Sequence, residues 1–174
     1  MSQMPNKAGE KNQRCAVCDG IQNPAQRFID KCRWDRECQA YRHTKQVIIL
    51  RKNFVLADGT TISYKTIHRG KLVTQGAHAA VRNAVECAIN VGFRSAMNDW
   101  MDGSGNETKI TLAVDDEESL VKIYDAAMQS GFPASLVRDA GLSEFKGEQM
   151  LTAVAIGPWW TEQIDYLTKD LALL

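Results

Sequence analysis

Lys71, Gln75 and His78 stand four and then three residues apart in the stretch RGKLVTQGAHAAV. A lysine supplies a cation, an amide both donates and accepts hydrogen bonds, and imidazole is the commonest acid–base side chain. On a helix turning about 100° per residue, these three, with Arg82 and Glu86, share one polar arc of about 80°. Such an arc is either the solvated stripe of an ordinary amphipathic helix or the face of a site, and periodicity alone does not choose. The opposite side carries Val73, Ala77, Ala80, Val81, Ala84 and Ala88, small apolar residues predicted to seat the helix closely on a sheet. A second set is Cys15, Cys18, Cys32 and Cys38, where CAVCDG resembles a zinc knuckle and the other two thiols could complete four ligands. Structural zinc and reduced, packed cysteines both fit that spacing. Cys87, on the helix, reads as a packing residue.

The elements that must position these groups follow from patterning. QVIIL is an uninterrupted β-branched run of the kind found in a strand buried on both faces. Residues 53 to 69 contain an Asp-Gly turn signal and the alternating TISYKTI, which predict a long loop or small hairpin. A helix then runs from about Gly70 to Val91, and residues 98 to 108 read as a polar, Gly-rich loop. KITLAV alternates as a strand, and DDEESLVKIYDAAMQSG follows as a helix with acids in its first turn and Gly131 beyond its end. ASLVRD and MLTAVAIGP are strand-like around the loop AGLSEFKGEQ. TEQIDYLTKDLALL is predicted as the closing helix, with Ile164, Leu167 and Leu171 inward. Alternating strands and helices with doubly apolar strands predict a three-layer α/β sandwich over residues 45–174, preceded by a short Cys-containing extension, residues 1–44.

The 174 residues, 44% apolar, suffice for one domain with a real core. No apolar run approaches the roughly 20 residues of a membrane span, and MSQMPNKAGEKNQR lacks the apolar region of a secretory signal. A cytoplasmic protein with no membrane partner is expected. Five cysteines, an odd number, point to thiols or metal ligands rather than a disulfide framework. The net charge is zero but uneven: residues 1 to 105 carry +7 and residues 106 to 174 carry −7. A nucleic-acid partner is permitted by that asymmetry without being demanded.

From Lys45 to Leu174 the chain resembles the type 2 peptidyl-tRNA hydrolases. KQVIILRK, GK followed by QGAHAA, SLVRDAG, and TAVAIGP followed by ID and LALL stand in that family's order. The resemblance implies a mixed four-stranded sheet, a homodimer, and hydrolysis of the ester joining a peptide to tRNA, with no cofactor for the chemistry. It places the family's functional residues on Lys71, Gln75, His78, Arg138 and Asp139. Where members commonly continue Arg-Thr-Gln after RDAG, this chain has Leu142, Ser143 and Glu144. Ser143 still offers a hydroxyl, while one cation is lost and one anion added. Gly76 and Ala77 stand where many members carry Cys or Ser, removing a hydroxyl from the helix.

Ester hydrolysis needs an aimed water, help with its proton, and positive or hydrogen-bonding groups where oxyanion charge develops. In this reading Lys71 supplies charge, Gln75 orients water or ester, and Asp139 acts as base or holds Lys71. His78 either joins the chemistry or hydrogen-bonds structure beside it. Arg51, Lys52, Arg69, Arg82 and Arg138 are candidate phosphate contacts, which give affinity with little sequence information. Trp159 and Trp160 either stack on a terminal base or pack in the core. The competing reading is a non-catalytic tRNA-binding or protein-interaction module on the same fold; an unrelated small-ester hydrolase is a third.

Overall fold

The long apolar runs become the centre of the sheet. A computed structural model describes residues 44–67, 69–102 and 107–174. β1 (Thr44–Arg51) lies between β6 (Met150–Trp160), antiparallel to it, and β4 (Lys109–Val114), parallel to it. β5 (Ala134–Asp139) extends the sheet beyond β6, and β7 (Ala172–Leu173) pairs antiparallel with β4 at the opposite edge. All eleven residues of β6 are buried, which explains why MLTAVAIGPWW is apolar without alternation.

Pleating sorts the core into two layers. Val47 and Ile49 of β1 face one side, where they pack with Leu120 and Ala127 of α3 (Glu117–Gln129) and Ile164 of α4 (Thr161–Thr168). Leu50 belongs to the other layer, with Leu72 and Ala79 of α1 (Arg69–Ile89) and with Phe54, Val137, Phe145 and Ala153. Helices therefore cover both faces, as the patterning predicts. β2 (Asn53–Val55) and β3 (Thr61–Ser63) form a hairpin, the second of the two forms foreseen for residues 53 to 69.

Three expectations are corrected. The sheet has five strands rather than four, because the closing helix stops at Thr168 and the last residues pair with the open edge of β4. Thr168 bonds back to the Ile164 carbonyl, and the Leu174 N–H donates to the Thr111 carbonyl. A short apolar run reads equally as helix or strand until a partner edge is present. The loop expected from residue 98 is helical through Asp102, as α2 (Arg94–Asp102), because Ala96 and Trp100 are buried and override a polar composition.

The third correction concerns α1. The buried face is Leu72, Gln75, Gly76, Ala79, Ala80, Asn83 and Cys87, which keeps Ala80 of the expected set, whereas Val73 and Val81 are 65% and 64% exposed. Hydrophobicity misplaced that face by about a third of a turn, because two of the inward residues are amides acting as tethers. Asn83 Nδ2 donates to the carbonyls of Pro133 and Gly157. Gly76 sets the depth of the helix, since a Cβ there would lie 3.3 Å from Ile48 Cγ2. Cys87 is fully buried, as a packing residue should be, and burial foremost pushes its thiol up to about 12.

Candidate active site

Asp139 is the last residue of β5, and the chain turns sharply behind it. Gly141 adopts φ +79°, and a Cβ at that position would lie 1.9 Å from the Glu148 carbonyl oxygen, so only glycine fits. The Gly141 N–H donates to Asp139 Oδ1 at 2.8 Å. Asp139 Oδ2 accepts from Gln75 Nε2 at 2.7 Å and pairs with Lys71 Nζ at 2.7 Å. The far end of Gln75 is also engaged, its Oε1 accepting from Thr152 Oγ1 at 3.0 Å. Lys71 in turn donates to Ser143 Oγ at 3.2 Å. Four of the residues expected at a site, Lys71, Gln75, Asp139 and Ser143, thus share one network.

Burial grades the network from inside to outside. Thr152 is fully buried, Gln75 and Asp139 are 8% and 7% exposed, and Ser143 is exposed. The Lys71 side chain keeps 18% exposure, and its ammonium bonds outward to the exposed Ser143. Thr152 is the member that sequence reasoning missed. Its signal is a lone hydroxyl inside the otherwise apolar MLTAVAIGP: a polar side chain on a doubly buried strand requires a partner.

The hairpin braces the loop that carries Ser143. Phe145 is fully buried against Phe54, ring centroids 4.8 Å apart, and Lys71 Nζ lies 5.8 Å from the Phe145 centroid. Lys146 Nζ pairs with Asp58 Oδ2 at 2.8 Å and donates to Thr60 Oγ1 at 3.1 Å. The Glu148 carboxylate accepts from the Ala57 N–H at 2.8 Å. Hydrogen bonds from Lys146 and Thr60 hold the Asp58 carboxyl well below the usual carboxylate range.

The other expected site residues lie apart. His78 is exposed and, among the described residues, shares no hydrogen bond with the Lys71–Asp139 network. Ala77 is exposed too, so a hydroxyl there would meet solvent rather than Asp139. Leu142 is 87% exposed and Glu144 half-buried. Arg51 is a correction: it is 5% exposed and paired with Glu117 on the sheet face opposite α1, where strand alternation places it. That leaves it no free face for a phosphate. Lys52 is paired with Asp115 at 2.5 Å, and that hydrogen bond raises its pKa. Arg82 and Arg138 are exposed, while the side chain of Arg69 lies outside what the structure describes. Trp159 and Trp160 are buried in the core. Cys15, Cys18, Cys32 and Cys38 lie outside the described residues; among those described, no group of three His, Cys, Asp or Glu could hold a metal.

A semi-exposed ammonium, an exposed hydroxyl and a carboxylate with spare acceptor capacity suit addition of water to a carbonyl. Comparison with known proteins points the same way. The chain is 35% identical over 130 residues to the peptidyl-tRNA hydrolase of Methanopyrus kandleri, covering 75% of this chain and 97% of that one. It is 36% identical over 130 residues to that of Staphylothermus marinus, covering 75% and 94%. With the Methanocaldococcus jannaschii peptidyl-tRNA hydrolase it shares 36% over 108 residues, 61% and 88% of the two chains. Residues 44–174, which include every member of the Lys71–Asp139 network, match the family model of peptidyl-tRNA hydrolase PTH2, and the chain belongs to that family.

Proposed function

We propose that this chain performs its family's reaction, hydrolysis of the ester between a peptide and the terminal ribose of tRNA, with Lys71 and Ser143 meeting the substrate. The observation that carries the reading is the Lys71–Asp139 pair, 2.7 Å long and anchored at its buried end by Gln75 and Gly141. Asp139 offers about four acceptor positions, and Lys71, Gln75 and Gly141 take three. The fourth accepts a hydrogen bond from the attacking water and aims it at the ester carbonyl. Oxyanion charge developing on the carbonyl oxygen is met by the Lys71 ammonium and the Ser143 hydroxyl. The acyl C–O bond to the ribose then breaks, the hydroxyl of the water stays on the peptide as its carboxyl, and the proton the water gives up passes by way of Asp139 to the departing ribose oxygen.

In this mechanism Gln75 and Thr152 are positioning residues, because both ends of the Gln75 amide are already bonded. Arg82 and Arg138, both exposed, supply phosphate contacts. A homodimer fits the apolar stripe Val73, Val81 and Val85, each more than half exposed on α1. A cytoplasmic site of action suits a translation enzyme; no helix of the described residues is long and apolar enough to cross a membrane.

The test is discharge of N-acetylaminoacyl-tRNA. Lys71→Ala and Asp139→Ala are expected to lose turnover by about a hundredfold or more while keeping the fold, the scale of an oxyanion-stabilising contact. Undiminished turnover in both variants overturns the assignment. Binding of tRNA without turnover by the unaltered chain points instead to a non-catalytic module.

A further inference from the structure

The seam between α1 and the edge strand β5 carries chemistry at both ends. At one end Gln75 meets Asp139. At the other, Ser135 Oγ donates to Asn83 Oδ1 at 3.0 Å, and beside this bond opens a pocket of about 250 Å³ that the hydrolytic network does not use. Its walls include Phe93, Tyr124 and Phe132, and its rim bears Arg82 and Glu86, one helical turn apart on α1. Phe93 and Tyr124 are half-buried, so part of each ring remains open, whereas Arg82 and Glu86 are exposed. Phe93 is held edge-on by Trp159, centroids 5.6 Å apart, which fixes one wall.

We propose that this pocket receives a cytosine of the single-stranded CCA end of the tRNA, upstream of the adenosine that carries the ester. The inference rests on the hydrolase reading above and deepens it. Three observations carry it. The volume suits one base and not a long ligand. Aromatic walls beside a guanidinium are the usual platform for a base and its phosphate, sequence-tolerant on their own. Glu86 adds the selective element: a carboxylate accepts from the exocyclic amine of cytosine and is repelled by the carbonyl that uracil presents there. The placement agrees, since Lys71 and Arg82 lie on one flank of α1 and eleven residues of helix span about 16 Å. That is a few nucleotides of extended strand, so the ester reaches Lys71 while the upstream base sits in the pocket. Arg82 takes the intervening phosphate, and Glu86, an anion that would repel phosphate, faces the base edge instead.

The experiment compares N-acetylaminoacyl-tRNA ending in CCA with the same tRNA ending in UUA, and both with N-acetylaminoacyl-adenosine, which lacks the upstream nucleotides. The unaltered enzyme is expected to favour CCA over UUA by about tenfold in kcat/KM. Glu86→Gln closes that gap, because an amide both donates and accepts. Tyr124→Leu raises KM on CCA-ended tRNA several-fold with kcat unchanged. Neither substitution alters the rate on the adenosine ester, which serves as the control for folding and chemistry. Equal turnover of CCA and UUA substrates by the unaltered enzyme overturns the proposal, as does a Tyr124→Leu loss of the same size on the adenosine ester. Should the unaltered chain cleave none of the three, the hydrolase reading falls instead. The pocket is then judged by binding of deacylated tRNA, where equal affinity for CCA and UUA ends overturns it.

Discussion

Thr152 shows how one hydroxyl sets the state of a site it does not enter. Its proton goes to Gln75 Oε1, which commits the other end of that amide to donate toward Asp139. Thr152→Val keeps the shape and removes the donor, leaving a buried carbonyl oxygen without a partner, a loss of about 1–3 kcal/mol. The expected result is a lower melting temperature together with about a tenfold fall in kcat. Thr152→Ser, which restores the donor, recovers most of the rate; failure of Ser to rescue separates a packing role from a hydrogen-bonding one. Lys71, Gln75 and Asp139 were legible because they stand in an ordered series of motifs, and Ser143 because it keeps a hydroxyl where the chain departs from Arg-Thr-Gln; the four converge in space. Thr152 was not legible, because a threonine is ordinary in a strand and its partner lies 77 residues away. Arg51 was misread for the same reason, its neutralising Glu117 being 66 residues distant.

At the scale of elements, the hairpin and the loop from Gly141 to Glu148 act as one unit. Phe54 meets Phe145, Asp58 meets Lys146, and the Ala57 N–H meets Glu148. The sequence shows a segment between the first strand and the helix longer than a short link, without showing what the extra residues hold. Asp58 gives this brace a pH dependence with a definite sign. Its folded pKa lies below its ordinary value of 3.8, so its contribution is present above that value and fades as pH falls toward the depressed one. Asp58→Asn is therefore expected to destabilise at neutral pH by a small, salt-sensitive amount, as exposed pairs do. Thermal melts of the variant and the unaltered chain should converge as pH drops below about 4. A gap that persists unchanged in acid rules the carboxylate out as its source.

For the whole molecule, the layer order was legible from alternation of strands and helices, but the rotation of α1 was not. Hydrophobic patterning favours valine and alanine as inward residues and cannot foresee that Gln75 and Asn83 would be buried as tethers. The valines left outside make a prediction about assembly. Sedimentation should give the mass of two chains, and Val81→Asp should give one; a single-chain mass before substitution dismisses the dimer. The tethers have a further consequence. Apolar contacts would let a helix slide along a sheet at little expense, because one methyl group replaces another, whereas amides recognise only particular carbonyls. Gln46 grips the Ala80 carbonyl from below while Asn83 reaches Pro133 from above, so α1 is indexed along its own axis as well as held down. Replacing these amides with leucine or methionine strands the buried carbonyls they hold, so a lower melting temperature and impaired catalysis are both expected. The ammonium at the helix start would drift by a fraction of a turn from the carboxylate it must meet.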